Sequence, residues 1–176
     1  MDVPELLTYR LRMRAWRDGD LEALTLIKGD CGAFRFLEDT EPLTPDEVSD
    51  LLDDYVAEWE ENGFGRWAVE EQRTSDLVGD CGFIPYDDDV GELTVMIARP
   101  YWGRGHASEA VRAAVRHGFE ALRFNRVVGA AHPPNRAACR ALEKLGLRHE
   151  EDIVGAQGLK LRLYSITALE RRMASR

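Results

Sequence analysis

A chain of 176 residues, 44% hydrophobic and 31% charged, has the length and make-up of one globular domain (residues 1–176) able to bury a substantial core. The formal net charge of −9 argues against a general nucleic-acid binder, which needs a basic face, and is compatible with a cationic substrate. Three widely spaced cysteines (Cys31, Cys81, Cys139) and four histidines (His106, His117, His132, His149) form neither a disulfide framework nor a metal-ligand spacing, so no metal is expected.

The opening MDVPELLTYR lacks a basic region followed by an apolar run, and no stretch approaches the length of a membrane span. A cytoplasmic location without a membrane partner is expected. Thr8–Arg14 alternates and predicts a first strand, and Asp18 or Asp20 can cap a short helix through Leu21, Leu24 and Ile27. Residues 28–43 show no clear period and predict a loop or broken helix. Thr44-Pro45-Asp46-Glu47 is a helix start with a Thr cap, Pro at the first position and Glu three after the cap. Val48, Leu51, Leu52, Tyr55 and Trp59 make its buried face, and Gly63 ends it. Phe64–Glu71 and Leu77–Ile84 predict two strands around the polar turn Arg73–Asp76, the second interrupted by Gly79 and Gly82. With the strand that follows the acidic loop Asp87-Asp88-Asp89, they make a β-meander.

The stretch Val90–Leu122 reads as strand, glycine turn, helix. Leu93, Val95 and Ile97 fall on one strand face and Glu92, Thr94 and Met96 on the other. Trp102-Gly103-Arg104-Gly105-His106-Ala107 turns the chain into a helix with Ala107, Ala110, Val111, Ala114, Val115, Gly118 and Leu122 on one face. The first N–H groups of a helix lack internal acceptors and carry the positive end of its dipole, and glycines let a phosphate approach the backbone. The junction therefore reads as an anion site at Arg104–Ser108, or as a plain strand-to-helix turn. Arg126–Ala131 is a short apolar strand, which makes strand, helix and strand a right-handed crossover. His132-Pro133-Pro134-Asn135 opens the next helix with Asn135 as cap, Ala138, Ala141, Leu142 and Leu145 face inward, and Gly146 closes it. Leu147–Ile153 and Lys160–Thr167 are two final strands around Gly155-Ala156-Gln157-Gly158.

WGRGHASEA followed about thirty residues on by HPPNRAACRALEKLGL resembles the GNAT superfamily of acetyl-CoA-dependent N-acetyltransferases. TYRLRMRAWRDGDLEAL, GFGRWAVEE, LVGDCGFIP and LRLYSIT fall in the matching order. The closer resemblance is to the RimJ/RimL-like branch, whose members acetylate N-termini of ribosomal proteins or various small amines. It implies an α/β (α+β) fold: a mixed, mostly antiparallel central sheet of about seven strands, helices on both faces, and a splayed parallel pair at the CoA site. It implies acetyl-CoA as co-substrate, an amine acceptor as partner, and room for a homodimer. The CoA pyrophosphate would sit on the turn Trp102, Gly103, Arg104, Gly105, His106, Ala107 and Ser108. The backbone near Met96, Ile97 and Ala98 would pair with pantetheine, and Asn135 would reach the pantetheine arm.

Glu92 stands where several relatives carry a general base, and a carboxylate acting through water can take the proton of an attacking amine. A backbone N–H near Met96 or Ile97 could hold the developing oxyanion. The alternative for Glu92 is a solvated carboxylate. Relatives often carry a Ser or Tyr acid on the helix after Asn135, but those positions are Ala138 and Leu142 here, and neither donates a proton. Cys139 points about 100° away from Ala138 around the helix and reads as a packing residue. Glu38, Asp39 and Glu41 can bind a cationic amine or form a solvated acidic loop. Two other functions compete. A GNAT-like domain could bind acyl-CoA without turnover, as a sensor or assembly module. A dinucleotide site fails on context, because the strand after the helix ends in Ala130-Ala131-His132 and no acid holds a ribose.

Overall fold

The computed structural model describes residues 2–30, 32, 41–155 and 158–174. The described strands are β1 (Leu6–Leu7), β2 (Leu11–Arg14), β3 (Arg66–Glu71), β4 (Leu77–Asp87), β5 (Val90–Ile97), β6 (Arg126–Ala131), β7 (Arg148–Val154) and β8 (Lys160–Thr167). We number the described helices α1 (Leu21–Lys28), α2 (Pro45–Asn62), α3 (His106–Glu120), α4 (Arg136–Lys144) and α5 (Ala168–Ala174). The strands form one sheet in the order β1-β2-β3-β4-β5-β6-β8-β7. Every neighbouring pair is antiparallel except β5 and β6. The sheet has eight strands rather than about seven, the addition being the two-residue β1.

Helices cover both faces. Trp16, Leu24, Val48, Leu52 and Tyr55 pack with Ala68 of β3, which places α1 and α2 on one face. Ala110, Val111, Ala113, Ala114, Val115 and Phe119 of α3 and Cys139 and Leu142 of α4 pack with Trp67, Phe83, Leu93, Val127 and Tyr164, which places α3 and α4 on the other. The start of α2 follows its sequence: Thr44 accepts from the N–H of Glu47, Glu47 accepts from the N–H of Thr44, and Gly63 closes the helix at φ +74°.

Where the sequence and the fold differ, a competing partner explains it. Thr8 and Arg10 do not join the first strand. The Thr8 hydroxyl and the Arg10 N–H donate to Glu109 of α3 at 2.6 and 2.7 Å, and the strand begins only at Leu11. Leu93, Val95 and Ile97 share one strand face, but they are not equally covered. Leu93 and Ile97 are 7% and 6% exposed, whereas Val95 is 40% exposed, because the pairing of β5 with β6 has already ended.

Candidate active site

The β5–β6 pair matches Val90, Gly91 and Glu92 with Arg126, Val127 and Val128 and then stops, so β5 runs on to Ile97 with one edge open. Which groups face that edge follows from the other side of the strand. The N–H of Ala98 donates to the carbonyl of Val78 at 2.8 Å. Antiparallel pairing alternates, so Met96 and Thr94 also turn their backbone groups toward β4. The open edge therefore carries the backbone groups of Val95 and Ile97. The carbonyl of Ile97 is taken by the indole N–H of Trp102. Of the expected backbone set, Met96 and Ala98 turn their groups toward β4, while Ile97, with Val95, turns its groups to the open edge.

β5 delivers the chain through a tight turn into α3. Gly103 and Gly105 sit at φ +72° and +85°, a region that suits glycine. Gly105 is the N-cap and offers no side-chain cap, and the first helical bond closes from the N–H of Glu109 to the carbonyl of Gly105. The N–H groups of Gly105, His106, Ala107 and Ser108 are thus left to a ligand or solvent. The turn is tied down from outside. Arg10 donates to the carbonyl of Arg104 at 2.6 Å, Tyr101 donates to Asp76 at 3.1 Å, and the ring of His106 lies 3.3 Å from Glu71. His106 is 3% exposed, so it offers only its backbone to an anion. Glu109 would oppose an anion at this helix end. Burial acts to raise its pKa, but Thr8 and Arg10 outweigh that and hold its carboxyl below the usual range, with the charge spent on them. A groove lined by Gly105, Ser108, Arg112 and Arg116 opens beside the turn. The arrangement suits a pyrophosphate.

The other sheet face carries different chemistry. Asp80 of β4 opposes Met96 of β5, Gly82 opposes Thr94, and Ile84 opposes Glu92, so Glu92, Thr94 and Met96 share the α1–α2 face with Asp80. Lys28 at the end of α1 binds Asp80 at 2.7 Å and reaches the sulfur of Met96 at 3.2 Å. Burial acts against the Lys28 charge, but Asp80 and then Tyr55 hold its pKa above the ordinary value. An acid flanked by Val78, Gly79, Cys81 and Gly82 in a central strand was the sequence signal for such a pair. Glu92 is half-buried at the start of the open segment. Glu38 and Asp39 lie outside the described residues, and Glu41 is exposed. Among the described residues no cluster of three or more His, Cys, Asp or Glu side chains is placed to hold a metal, and no helix is long and apolar enough to cross a membrane.

Residues 10–148 match the acetyltransferase (GNAT) domain. The chain belongs to the GNAT acetyltransferase family. It is 31% identical to the uncharacterized protein YkkB of Bacillus subtilis (strain 168) over 161 residues, 85% of this chain and 88% of that protein. Its fold is similar to a GNAT-family acetyltransferase from Bacillus anthracis, with a TM-score of 0.84 and 21% identity over 94% of this chain and 99% of that one. It is also similar to spermidine N-acetyltransferase from Vibrio cholerae, solved in complex with CoA and spermine, with a TM-score of 0.76 and 20% identity over 92% and 97% of the two chains.

Asn135 caps α4 by accepting from the N–H of Ala138 at 3.1 Å, which occupies its side-chain oxygen and leaves its amide NH2 as a donor. Ala138 is half-buried and Leu142 is buried in the core. Cys139 is buried as a packing residue, its thiol directed at the carbonyl of His132 at 3.9 Å, and Tyr164 is 1% exposed.

Proposed function

We propose that this chain transfers an acetyl group from acetyl-CoA to a primary amine, a protein N-terminus or a small-molecule amine, by direct attack in a ternary complex. The observation that carries the reading is the division of labour across β5. Its open edge and the uncapped α3 terminus serve one side, and Glu92 projects from the α1–α2 side. Bound acetyl-CoA would supply the thioester as acyl donor. Gly105, His106, Ala107 and Ser108 would receive its pyrophosphate on their N–H groups. The N–H groups of Val95 and Ile97 face the region where a thioester carbonyl would lie and can hold its developing negative charge. Glu92 would take the amine proton through water.

Trp102 fits the RimJ/RimL-like branch and has a structural task as well, holding the Ile97 carbonyl so that the end of β5 keeps its direction. A cytoplasmic setting accords with a CoA-dependent reaction. The acceptor is an amine of a class that the 28–43 and 153–160 segments would select. The absence of a Ser or Tyr acid at Ala138 and Leu142 favours one second reading, an acyl-CoA sensor without turnover. Thiol release from acetyl-CoA, followed over N-terminal peptides, polyamines, aminoglycosides and amino acids, tests the first reading. CoA binding without thiol release from any of them supports the second.

A further inference from the structure

On the α1–α2 face, Thr94 stands between Glu92 and Met96, opposite Gly82, which sends no side chain into the intervening space. The Thr94 hydroxyl oxygen is wholly buried and meets no hydrogen-bond partner. Among the described residues it shares that condition only with Nδ1 of His106. A buried hydroxyl without a partner is costly, and its usual complement is an ordered water. Side chains two positions apart on a strand are about 7 Å apart at their roots. A carboxylate and a hydroxyl at that spacing can be joined by one water through two hydrogen bonds of about 2.8 Å. The side chains that flank Thr94 on this face are Met96, whose sulfur meets Lys28, and the half-buried carboxylate of Glu92, to which a water on the Thr94 hydroxyl can donate.

We infer that the Thr94 hydroxyl positions the water through which Glu92 receives the proton of the acceptor amine. The inference rests on the acetyl-transfer reading above. Thr94 donates its O–H to the water, the water donates to Glu92, and its second lone pair faces the amine N–H. As the C–N bond forms to the acetyl carbon and the C–S bond breaks, the amine proton passes to the water. The water passes one of its own protons to the carboxylate, and the departing thiolate takes a proton from solvent. Thr94 is a positioning residue, since it acts through the water and touches neither substrate.

The test compares Thr94→Val, Thr94→Ser and Glu92→Gln. With the amine acceptor identified by thiol release, Thr94→Val should lower kcat/KM about tenfold near pH 7, with the gap narrowing at high pH where free amine is abundant. Thr94→Ser should stay within about twofold of the parent, and CoA affinity by calorimetry should be unchanged in both. Because the water satisfies the hydroxyl, Thr94→Val should bring no rise in Tm, whereas an idle orphan hydroxyl gives a rise when replaced by the isosteric methyl. A Thr94→Val protein with parental kcat/KM at every pH, while Glu92→Gln is impaired, overturns the role of Thr94 alone. A silent Glu92→Gln removes the base, and the inference with it. If no amine is turned over, the thermal comparison decides, and a clear rise in Tm for Thr94→Val overturns the bound water.

Discussion

Lys28 and Asp80 meet at 2.7 Å with both side chains below a tenth exposed, joining the last residue of α1 to the middle of β4. The Tyr55 ring lies 5.7 Å from the ammonium, and Met96 contacts it from β5. The pair pins the chain to the sheet where the segment 28–43 begins, next to the open part of β5. Replacing Lys28 by Met removes the cation and leaves Asp80 buried without a partner. Breaking a buried pair in this way costs about 3–5 kcal/mol. In a domain of this size that is a Tm lower by on the order of 10 °C. Adding Asp80→Asn should recover part of the loss, because the uncompensated charge is then gone. Thermal unfolding of the single and double variants checks this. A single variant as stable as the parent would show that Asp80 finds another cation.

Gly105→Val bears on the cofactor. The native φ of +85° costs a β-branched residue about 1–3 kcal/mol, and an added Cβ would lie 3.3 Å from the Arg10 guanidinium that ties the turn. The four N–H groups at the start of α3 then lose the close backbone approach that a phosphate needs. The expected outcome is a folded protein whose CoA affinity falls at least about thirtyfold, roughly 2 kcal/mol at 1.4 kcal/mol per decade. Calorimetric titration of CoA, with circular dichroism to establish folding, provides the measurement. Undiminished affinity in the folded variant would remove the turn from the binding site.

The helices and the glycine turn were legible in the sequence because each is specified locally. Thr44 and Glu47 cap each other three residues apart, and Val48, Leu52, Tyr55 and Trp59 repeat at helical spacing and are buried. What stayed hidden was set by partners distant in sequence. Arg10 leaves the predicted strand to bind Glu109, 99 residues away. The edge of β5 that stays open depends on its register with β4, seen in the Ala98–Val78 bond, so periodicity alone could place Met96 and Ala98 but could not tell that they face inward. The terminal helix α5 has a local start signal too, Thr167 and Glu170 capping each other three residues apart, but it follows a strand without a break and extends only to Ala174. Glu92 was legible only through the family resemblance, while the burial of the Thr94 hydroxyl without a partner depends on packing that strand alternation does not reveal.

Glu109 links the N-terminal segment to the cofactor turn, and its charge makes that link depend on pH. Thr8 and Arg10 outweigh burial and hold its carboxyl below the ordinary carboxylate range in the folded protein. A depressed folded value means that the contribution to stability is complete above the unfolded value, near pH 4.5, and is lost as pH falls through the folded one. Glu109→Gln should therefore destabilise by about 1.5–3 kcal/mol at pH 7, the range for hydrogen bonds to a charged group. The difference from the parent should shrink progressively below pH 4.5 as the parent carboxylate protonates. Urea midpoints at pH 7 and pH 3 measure both ends. A difference that stays constant over this range would mean that the charge contributes nothing beyond side-chain shape.

The last prediction concerns the departing thiolate. The family resemblance would put a Ser or Tyr acid at Ala138 or Leu142, and neither residue can donate a proton, so Cys139 and Tyr164 are the buried proton donors to test beside α4. Tyr164 lies on β8 opposite Gly129 and meets the His149 ring edge-on at 5.7 Å. Burial, and then Cys139, push its phenol above the ordinary value, so it keeps its proton at neutral pH. It is nonetheless only 1% exposed and belongs to the core cluster with Leu142 and Leu147, so a sulfur in the cleft cannot reach its hydroxyl without displacing that packing. A CoA thiolate is a stable enough anion to leave without a side-chain acid. Cys139→Ala and Tyr164→Phe should therefore each keep kcat within roughly tenfold, less than the loss that follows removal of a true general acid. A change in Tm without a matching fall in kcat in either variant separates a packing role from a catalytic one. A hundredfold fall in kcat for either variant, with CoA affinity and Tm preserved, would place the acid in this pair after all and would require α4 to move away from β8 during turnover.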